Sequence, residues 1–175
     1  ISDKVLGSFN TLLGSHGTLN PESISKESGM VLWWNARRGI WVRYSRDGLT
    51  EISKYKMKNW FKDLGDLLIQ YYFSGTAPKV ISVFDDYHEE WITAINHSSL
   101  PETFKGYSSY KCVAFTEHNA NKRWREWWDY MPDLFASMDN EVYSIIGSTI
   151  HIHEQGADFG SIYGVKKDTI LELVA

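Results

Sequence analysis

The chain has 175 residues, and its 18 Lys and Arg against 22 Asp and Glu give a formal net charge of −4, which argues against a broad nucleic-acid-binding surface. The one cysteine, Cys112, excludes an intrachain disulfide framework, and no stretch approaches the roughly 18 continuous apolar residues of a membrane span. Aromatic residues make up 15% of the chain, which suits β-sheet packing, subunit interfaces and sugar stacking. The length fits one mostly-β domain over 1–175, or a fragment of a longer chain.

The residue pattern of the N-terminal half predicts one β-hairpin and one α-helix. Residues 1–13 could form a short helix or a loop. An apolar run, a polar turn and a second apolar run then predict a β-hairpin over about 30–45. From about 53 to 70, apolar residues recur near i, i+3, i+4 spacing, which indicates an amphipathic helix with Ser53 as its N-cap. An aromatic run at 71–73 leads into a loop.

The same hairpin pattern recurs at about 79–96 and again at about 110–130. In all three copies a tryptophan opens the second strand: Trp41, Trp91 and Trp124. We expect this side chain to fill the same inter-strand slot in each hairpin. A recurring hairpin indicates stacked or radially repeated sheets, which usually serve as scaffolds.

A fourth hairpin is tighter than the others. Strands over 141–146 and 149–153 flank Gly147-Ser148, which suits a two-residue type II′ turn. Further strands are predicted at 161–165 and about 169–174. With eight to ten strands and one main helix, the pattern predicts a mainly β fold of repeated antiparallel hairpins, propeller-like or a partial propeller, with one amphipathic helical insertion. A β-sandwich is the alternative.

One acidic cluster could carry chemistry. Asp85, Asp86, Glu89 and Glu90 lie in the second predicted turn. Two carboxylates could hydrolyse a glycoside if one of them were held in an apolar pocket. The preferred interpretation is a solvated hairpin turn, where acidic residues are common.

Two histidines form a second cluster that could carry chemistry, as metal ligands. His151 and His153 are two residues apart on a predicted strand, so they share a face and could bind one Zn²⁺ or Ni²⁺ with a third ligand from elsewhere. The preferred interpretation is that the two histidines lie on the polar face of a half-buried strand, while Ile150 and Ile152 face the core. We therefore predict no metal, no other cofactor and no catalytic residue.

Five aromatic residues are the candidate contact residues. Trp127 and Trp128 could face outwards, where an indole can stack on a sugar or anchor a subunit interface. Tyr130 follows them closely, and Tyr71 and Tyr72 follow the predicted helix. We predict that these side chains contact a partner subunit or a glycan.

A series of short blocks carries a resemblance. The blocks lie at 39–53, 84–91, 115–117, 122–124, 130–133, 139–144, 151–154 and 162–164. Their residues and order resemble the tail-hub and stabilisation proteins of short-tailed bacteriophages, especially the crAss-like phages of gut Bacteroidetes. The Trp127-Trp128 pair departs from that pattern, and the first 29 residues match none of it.

The resemblance implies a propeller-like tail component that is multimeric in the virion, is assembled in the bacterial host cytoplasm and performs no catalysis. Its partners would be other tail subunits and further copies of itself, and nucleic acid is not expected. Two alternatives stay open. One is a glycan-binding module of a tail or secreted protein, and the other is a glycoside hydrolase or lyase fragment that uses Asp85, Asp86 or Glu90.

Overall fold

The computed structural model describes residues 14–117, 122–153 and 160–166, which form a mainly β structure of four antiparallel sheets with one α-helix. The first sheet is a meander in which each strand pairs with the next along the chain. Its strands are β1 (Ser25–Glu27), β2 (Met30–Asn35), β3 (Ile40–Ser45) and β4 (Gly48–Glu51). The hairpin predicted over 30–45 is confirmed as β2 and β3.

Helix α1 (Lys58–Tyr72) follows the first sheet and begins later than the predicted position 53. Ser53 is not its N-cap, because Ser53 lies in a 3-10 turn (Ile52–Lys54) and its hydroxyl accepts the N–H of Trp41 at 2.7 Å. Lys56 then adopts a left-handed φ of 67°, which an α-helix cannot contain. The apolar stripe that the spacing predicts is the buried face of the helix: Trp60, Phe61, Leu64 and Leu68.

The second sheet is also a four-stranded meander. Its strands are β5 (Lys79–Asp85), β6 (Glu90–Asn96), β7 (Cys112–Thr116) and β8 (Arg123–Trp128). The second and third predicted hairpins are confirmed as β5–β6 and β7–β8, but both belong to this one sheet because β6 pairs with β7. The three copies of the tryptophan pattern are therefore not one repeat per sheet.

The third and fourth sheets are smaller. The third sheet has the strands β9 (Leu134–Met138), β10 (Glu141–Ile146) and β11 (Thr149–Ile152), and the fourth has β12 (Ser161–Ile162) and β13 (Val165–Lys166). The tight β10–β11 hairpin is confirmed, and Gly147 has the positive φ, 58°, that the first central position of a type II′ turn requires. A two-strand hairpin replaces the single strand predicted at 161–165, and the strand predicted at about 169–174 lies outside the described residues.

The described strands number thirteen, more than the predicted eight to ten. The prediction gave one strand where the structure has β12 and β13, and it lacked β1, β4 and β9. These three strands are short or carry little apolar alternation. They are held in place by pairing with a strong neighbour rather than by a pattern of their own.

The three larger sheets stack face to face in chain order. The first core lies between the first sheet, α1 and one face of the second sheet. The second core lies between the other face of the second sheet and the third sheet. The first strands of the three sheets are also neighbours, since β1 contacts β5 and β5 contacts β9. The first strand of each sheet therefore borders the first strand of the next sheet.

The repeated tryptophans all serve the first core, but from opposite sides. Trp41 lies on the first sheet, whereas Trp91 and Trp124 lie on the facing side of the second sheet. Trp41 and Trp91 are fully buried, and the Nε1 of half-buried Trp124 donates to the Ile52 carbonyl at 3.2 Å. The expectation of the same inter-strand slot is confirmed, because each tryptophan lies opposite an aromatic residue of the preceding strand: Trp34, Phe84 and Phe115.

A pair of glycines lets the helix approach the β2–β3 turn. A Cβ added to Gly65, in the middle of α1, would lie 2.4 Å from the Cα of Gly39. A Cβ added to Gly39, which has a φ of +59°, would lie 2.9 Å from the carbonyl oxygen of Phe61. Gly65 weakens the helix on propensity alone, and the structure shows that this close backbone contact is its role.

Candidate interaction surface

The aromatic residues predicted as contacts are mostly engaged within the chain. Trp127, on the edge strand β8, is half-buried in the first core. Its ring meets Trp60 edge-on at 4.7 Å between centroids and stacks on Tyr107, also at 4.7 Å. Tyr107 is 39% exposed, so the outer surface of this stack belongs to the tyrosine.

Trp128 and Tyr130 belong to the second core. Their rings stack at 5.4 Å, and Tyr130 also meets Tyr163 edge-on at 5.8 Å. Tyr130 is only 6% exposed, and its burial, next to Cys112, raises its pKa well above the usual range. Little of this pair is available to a partner.

Tyr71 and Tyr72 lie in the last turn of α1 rather than in a loop. The Tyr72 hydroxyl accepts the Nε1–H of the buried Trp34 at 3.0 Å, and burial raises the pKa of Tyr72. Tyr71 stacks on His97 at 4.0 Å between ring centroids. Partner contact by these five aromatic residues stays a prediction, and the structure uses much of their surface internally.

Two of the four carboxylates in the acidic turn are buried, unlike those of a solvated hairpin turn. Asp85 and Glu90 form the last pair of the β5–β6 hairpin and are 8% and 4% exposed, so the expectation of solvation is wrong for both. One Asp85 oxygen accepts the N–H groups of Tyr87 and His88 at 2.9 and 3.1 Å. Asp85 therefore closes the turn in the way that an Asx turn does.

Glu90 is held by a cation. An oxygen of its carboxylate lies 3.2 Å from a guanidinium nitrogen of Arg125. Burial raises the pKa of Glu90, and the Arg125 charge opposes that rise. Asp86 and Glu89 are exposed. Both buried carboxylates therefore have polar partners within the chain.

The two histidines occupy the opposite face from the one expected. His151 and His153 point towards the second core, where His151 lies 4.6 Å from the Tyr163 ring and the Nε2 of His153 lies 2.9 Å from the Ser144 hydroxyl. Burial lowers the pKa of His153. Among the residues that the structure describes, no group of three His, Cys, Asp or Glu side chains could hold a metal ion.

The isoleucines of the same strand face outwards, so the expectation that they face the core is wrong. Ile150 is 65% exposed and Ile152 is 40% exposed. The strand register places them beside other apolar residues, since Ile145 lies between Leu134 and Ile150. This surface is the outer face of the third sheet: Leu134, Ala136, Met138, Glu141, Tyr143, Ile145, Ile150 and Ile152.

The outer face of the third sheet is the most concentrated apolar surface that the described residues present. Leu134 and Met138 are 41% and 59% exposed, and with Ile150 and Ile152 they leave on the order of 400 Å² of apolar area open, the size of the largest patch on a typical monomer. The sequence pattern did not reveal this face, because β9 was not predicted and because Ile150 and Ile152 of β11 were expected to face the core. The isoleucines at 145, 150 and 152 were the available signal.

No helix in the described part of the chain is long and apolar enough to span a membrane. No family model, curated protein or solved structure matches the chain.

Proposed function

We propose that this protein is a non-catalytic structural component that assembles with other protein subunits through its β-sheets. The observation that carries this proposal is the apolar outer face of the third sheet, which lies at one end of the stack of sheets. The largest exposed apolar patch of a protein is often a functional surface. The polar groups that could have suggested catalysis are occupied by a turn, an ion pair and a buried hydrogen bond.

The stack also supports a propeller-like architecture as part of this proposal. Propeller blades are four-stranded antiparallel meanders arranged radially. The first and second sheets have that strand order, and the first strands of successive sheets are neighbours. The third sheet supplies three strands of such a blade among the described residues.

The resemblance to tail-hub and stabilisation proteins of short-tailed phages suggests the kind of assembly. In that setting the chain would be a virion protein, made in the bacterial cytoplasm, whose partners are further tail subunits. A scaffold with an apolar end face, and with Asp85 and Glu90 engaged by partners within the chain, suits such a role.

Light scattering of the purified protein at several concentrations tests the proposal. A mass that rises with concentration to a defined multiple of 20.2 kDa is the expected result. A monomer at every concentration, and no binding to co-expressed tail subunits, would contradict an assembly role.

A second candidate, glycan binding, is favoured by one observation. The Tyr107–Trp127 stack presents a half-exposed tyrosine backed by an indole, and aromatic faces of this kind bind sugars. Titration with bacterial polysaccharides, followed by tryptophan fluorescence in the protein and in Tyr107→Ala, separates this function from assembly. A saturable change that the substitution abolishes would favour the glycan-binding module.

A further inference from the structure

The hairpin of β12 and β13 depends on its contacts with the second core. Among the described strands, β12 and β13 pair only with each other, and each has two residues. An isolated two-stranded hairpin is at best marginally stable in water. Ile162 and Tyr163 pack against the second core, whereas Val165 is 56% exposed. The first two side chains therefore hold the hairpin in place.

Tyr163 has a backbone conformation that its surroundings must stabilise. Tyr163 and Gly164 form the centre of the hairpin turn, and both have a positive φ, 54° and 75°. This is the geometry of a type I′ turn, which glycine adopts freely but which strains a bulky residue. The Tyr163 hydroxyl donates to the Ser144 hydroxyl at 2.9 Å, and its ring lies 4.6 Å from that of His151 and 5.8 Å from that of Tyr130. These side-chain contacts offset the strain while the hairpin is docked.

The hydroxyl of Ser144 links the hairpin to His153. Ser144 is fully buried, and its oxygen lies 2.9 Å from the Nε2 of His153 as well as accepting the Tyr163 hydroxyl. A serine hydroxyl has a single proton. Because Tyr163 donates to Ser144, the Ser144 proton is donated to Nε2, which is then the unprotonated nitrogen of a neutral imidazole. The chain of hydrogen bonds from Tyr163 through Ser144 to His153 is complete only while His153 is neutral.

A proton on Nε2 is incompatible with this chain of hydrogen bonds. The Ser144 oxygen would face two donors, while its own proton, which is shut off from water, would lose its acceptor, and an unpaired buried polar group is costly. Tyr163 could accept the Ser144 proton only by turning its own proton away, and the imidazolium would stay buried. If Tyr163 leaves, water can accept the Ser144 proton and solvate the charge. Undocking of the hairpin therefore removes the conflict.

The groups around His153 also disfavour its charged form. Burial lowers the pKa of His153, the charge of Asp85 at the end of β5 opposes that shift, and His151 on the same strand adds to it. The Asp85 carboxylate is itself engaged by the β5–β6 turn and by His88 at 3.0 Å. The aromatic rings that face His153 stay uncharged where histidine titrates: Tyr130, Phe135 and Tyr163. The docked structure thus offers little compensation for a positive charge.

We propose that the β12–β13 hairpin is a pH-sensitive latch, docked on the second core while His153 is neutral and released when His153 is protonated. Release removes Tyr163 from the ring of Tyr130 and so exposes one side of the Trp128–Tyr130 stack. Access to this stack then depends on pH. The latch goes beyond the proposed assembly function and does not depend on it.

Amide hydrogen exchange in the whole chain tests the latch. The amides of Ile162 and Val165, which pair with each other, should exchange about tenfold faster at about pH 5.5 than at about pH 7.5, after correction for the intrinsic effect of pH. This is the change that one unit of pKa difference between the docked and released states produces. The amides of β10 should keep their protection.

The wild type also gives a test for which no variant has to fold. The imidazole of His153, titrated by NMR, should have the same midpoint as the release of the hairpin. Exchange of Ile162 and Val165 that does not depend on pH, or a midpoint that differs from that of His153, would overturn the latch.

Two histidine variants on neighbouring positions form a matched pair. His153→Gln should make hairpin exchange independent of pH, whereas His151→Gln should keep the response of the wild type. Tyr163→Phe keeps the ring but lacks the hydroxyl, so the hairpin should exchange faster at both pH values. If His151→Gln removes the response and His153→Gln keeps it, His153 is not the sensor. If Tyr163→Phe is as protected as the wild type, the bond to Ser144 does not hold the hairpin.

Discussion

Replacing Gly65 by alanine should destabilise the protein even though alanine is the better helix former. The new Cβ would lie 2.4 Å from the Cα of Gly39, whereas non-bonded carbons prefer about 3.5–4.0 Å. The helix and the turn must therefore separate by about 1 Å, and a gap of that size forfeits roughly a quarter to a half of the attraction between the contacting atoms. No rotamer change can relieve the clash, because both groups belong to the backbone.

The magnitude follows from two opposing effects. Overpacking costs about 1–3 kcal/mol, and a clash between two backbones belongs at the upper end of that range. Alanine returns about 1 kcal/mol of helix propensity. We therefore expect the free energy of unfolding to fall by about 2 kcal/mol, which corresponds to a melting temperature lower by about 4–8 °C for a chain of this size.

Urea unfolding followed by tryptophan fluorescence measures this change. Gly17→Ala is the matched control, because a Cβ there meets no atom within 4 Å and the substitution should leave stability unchanged or raise it by up to about 1 kcal/mol. A Gly65→Ala variant as stable as the wild type would refute the close approach of α1 to the β2–β3 turn.

Three further predictions concern buried polar groups. Tyr72→Phe should lower the free energy of unfolding by about 1–3 kcal/mol, because the buried Nε1–H of Trp34 loses its acceptor; an unchanged urea midpoint would contradict this. Arg43→Ala should cost about 3 kcal/mol by thermal unfolding, because the guanidinium is buried and paired with Glu117. A matched Lys62→Ala change in the exposed pair with Asp66 should leave the melting temperature nearly unchanged, because solvent screens that pair. Burial lowers the pKa of His153 in the folded state, so the unfolded chain takes up a proton at this position at a higher pH than the folded chain does. The free energy of unfolding is therefore greatest above about pH 6.5 and declines as the pH falls towards the folded-state pKa of His153. His153→Gln should make that decline less steep, and an equally steep decline in the variant would show that another group controls it.

The hairpins could be predicted because their pairing is local. Trp34 opposite Trp41, and Phe84 opposite Trp91, follow from apolar runs on either side of a short polar turn, and the chain between them is too short for another arrangement. The amphipathic stripe of α1 is local in the same sense. The predicted start of α1 at residue 53 is too early, because the Ser53 hydroxyl accepts a hydrogen bond from the distant Trp41 N–H instead of capping the helix.

The candidate surface could not be predicted, because it depends on which strands share a sheet. Pairing of β6 with β7 bridges 97–111, and it puts two predicted hairpins into one sheet. The short strand β9 has little pattern of its own, yet its pairing with β10 completes the outer face of the third sheet. The aromatic residues predicted to contact a partner pack largely against the two cores of the chain.

The sequence by itself determined the local elements: four hairpins, an amphipathic helix and a mainly β composition. Only the tertiary structure decided which side of each strand is covered. In β11 the alternation of Ile150, His151, Ile152 and His153 fits either face, since period-two spacing defines two faces without ranking them. Tyr163 and Ser144 surround the histidines on one side, and the isoleucines are consequently left on the other, where a neighbouring subunit can cover them.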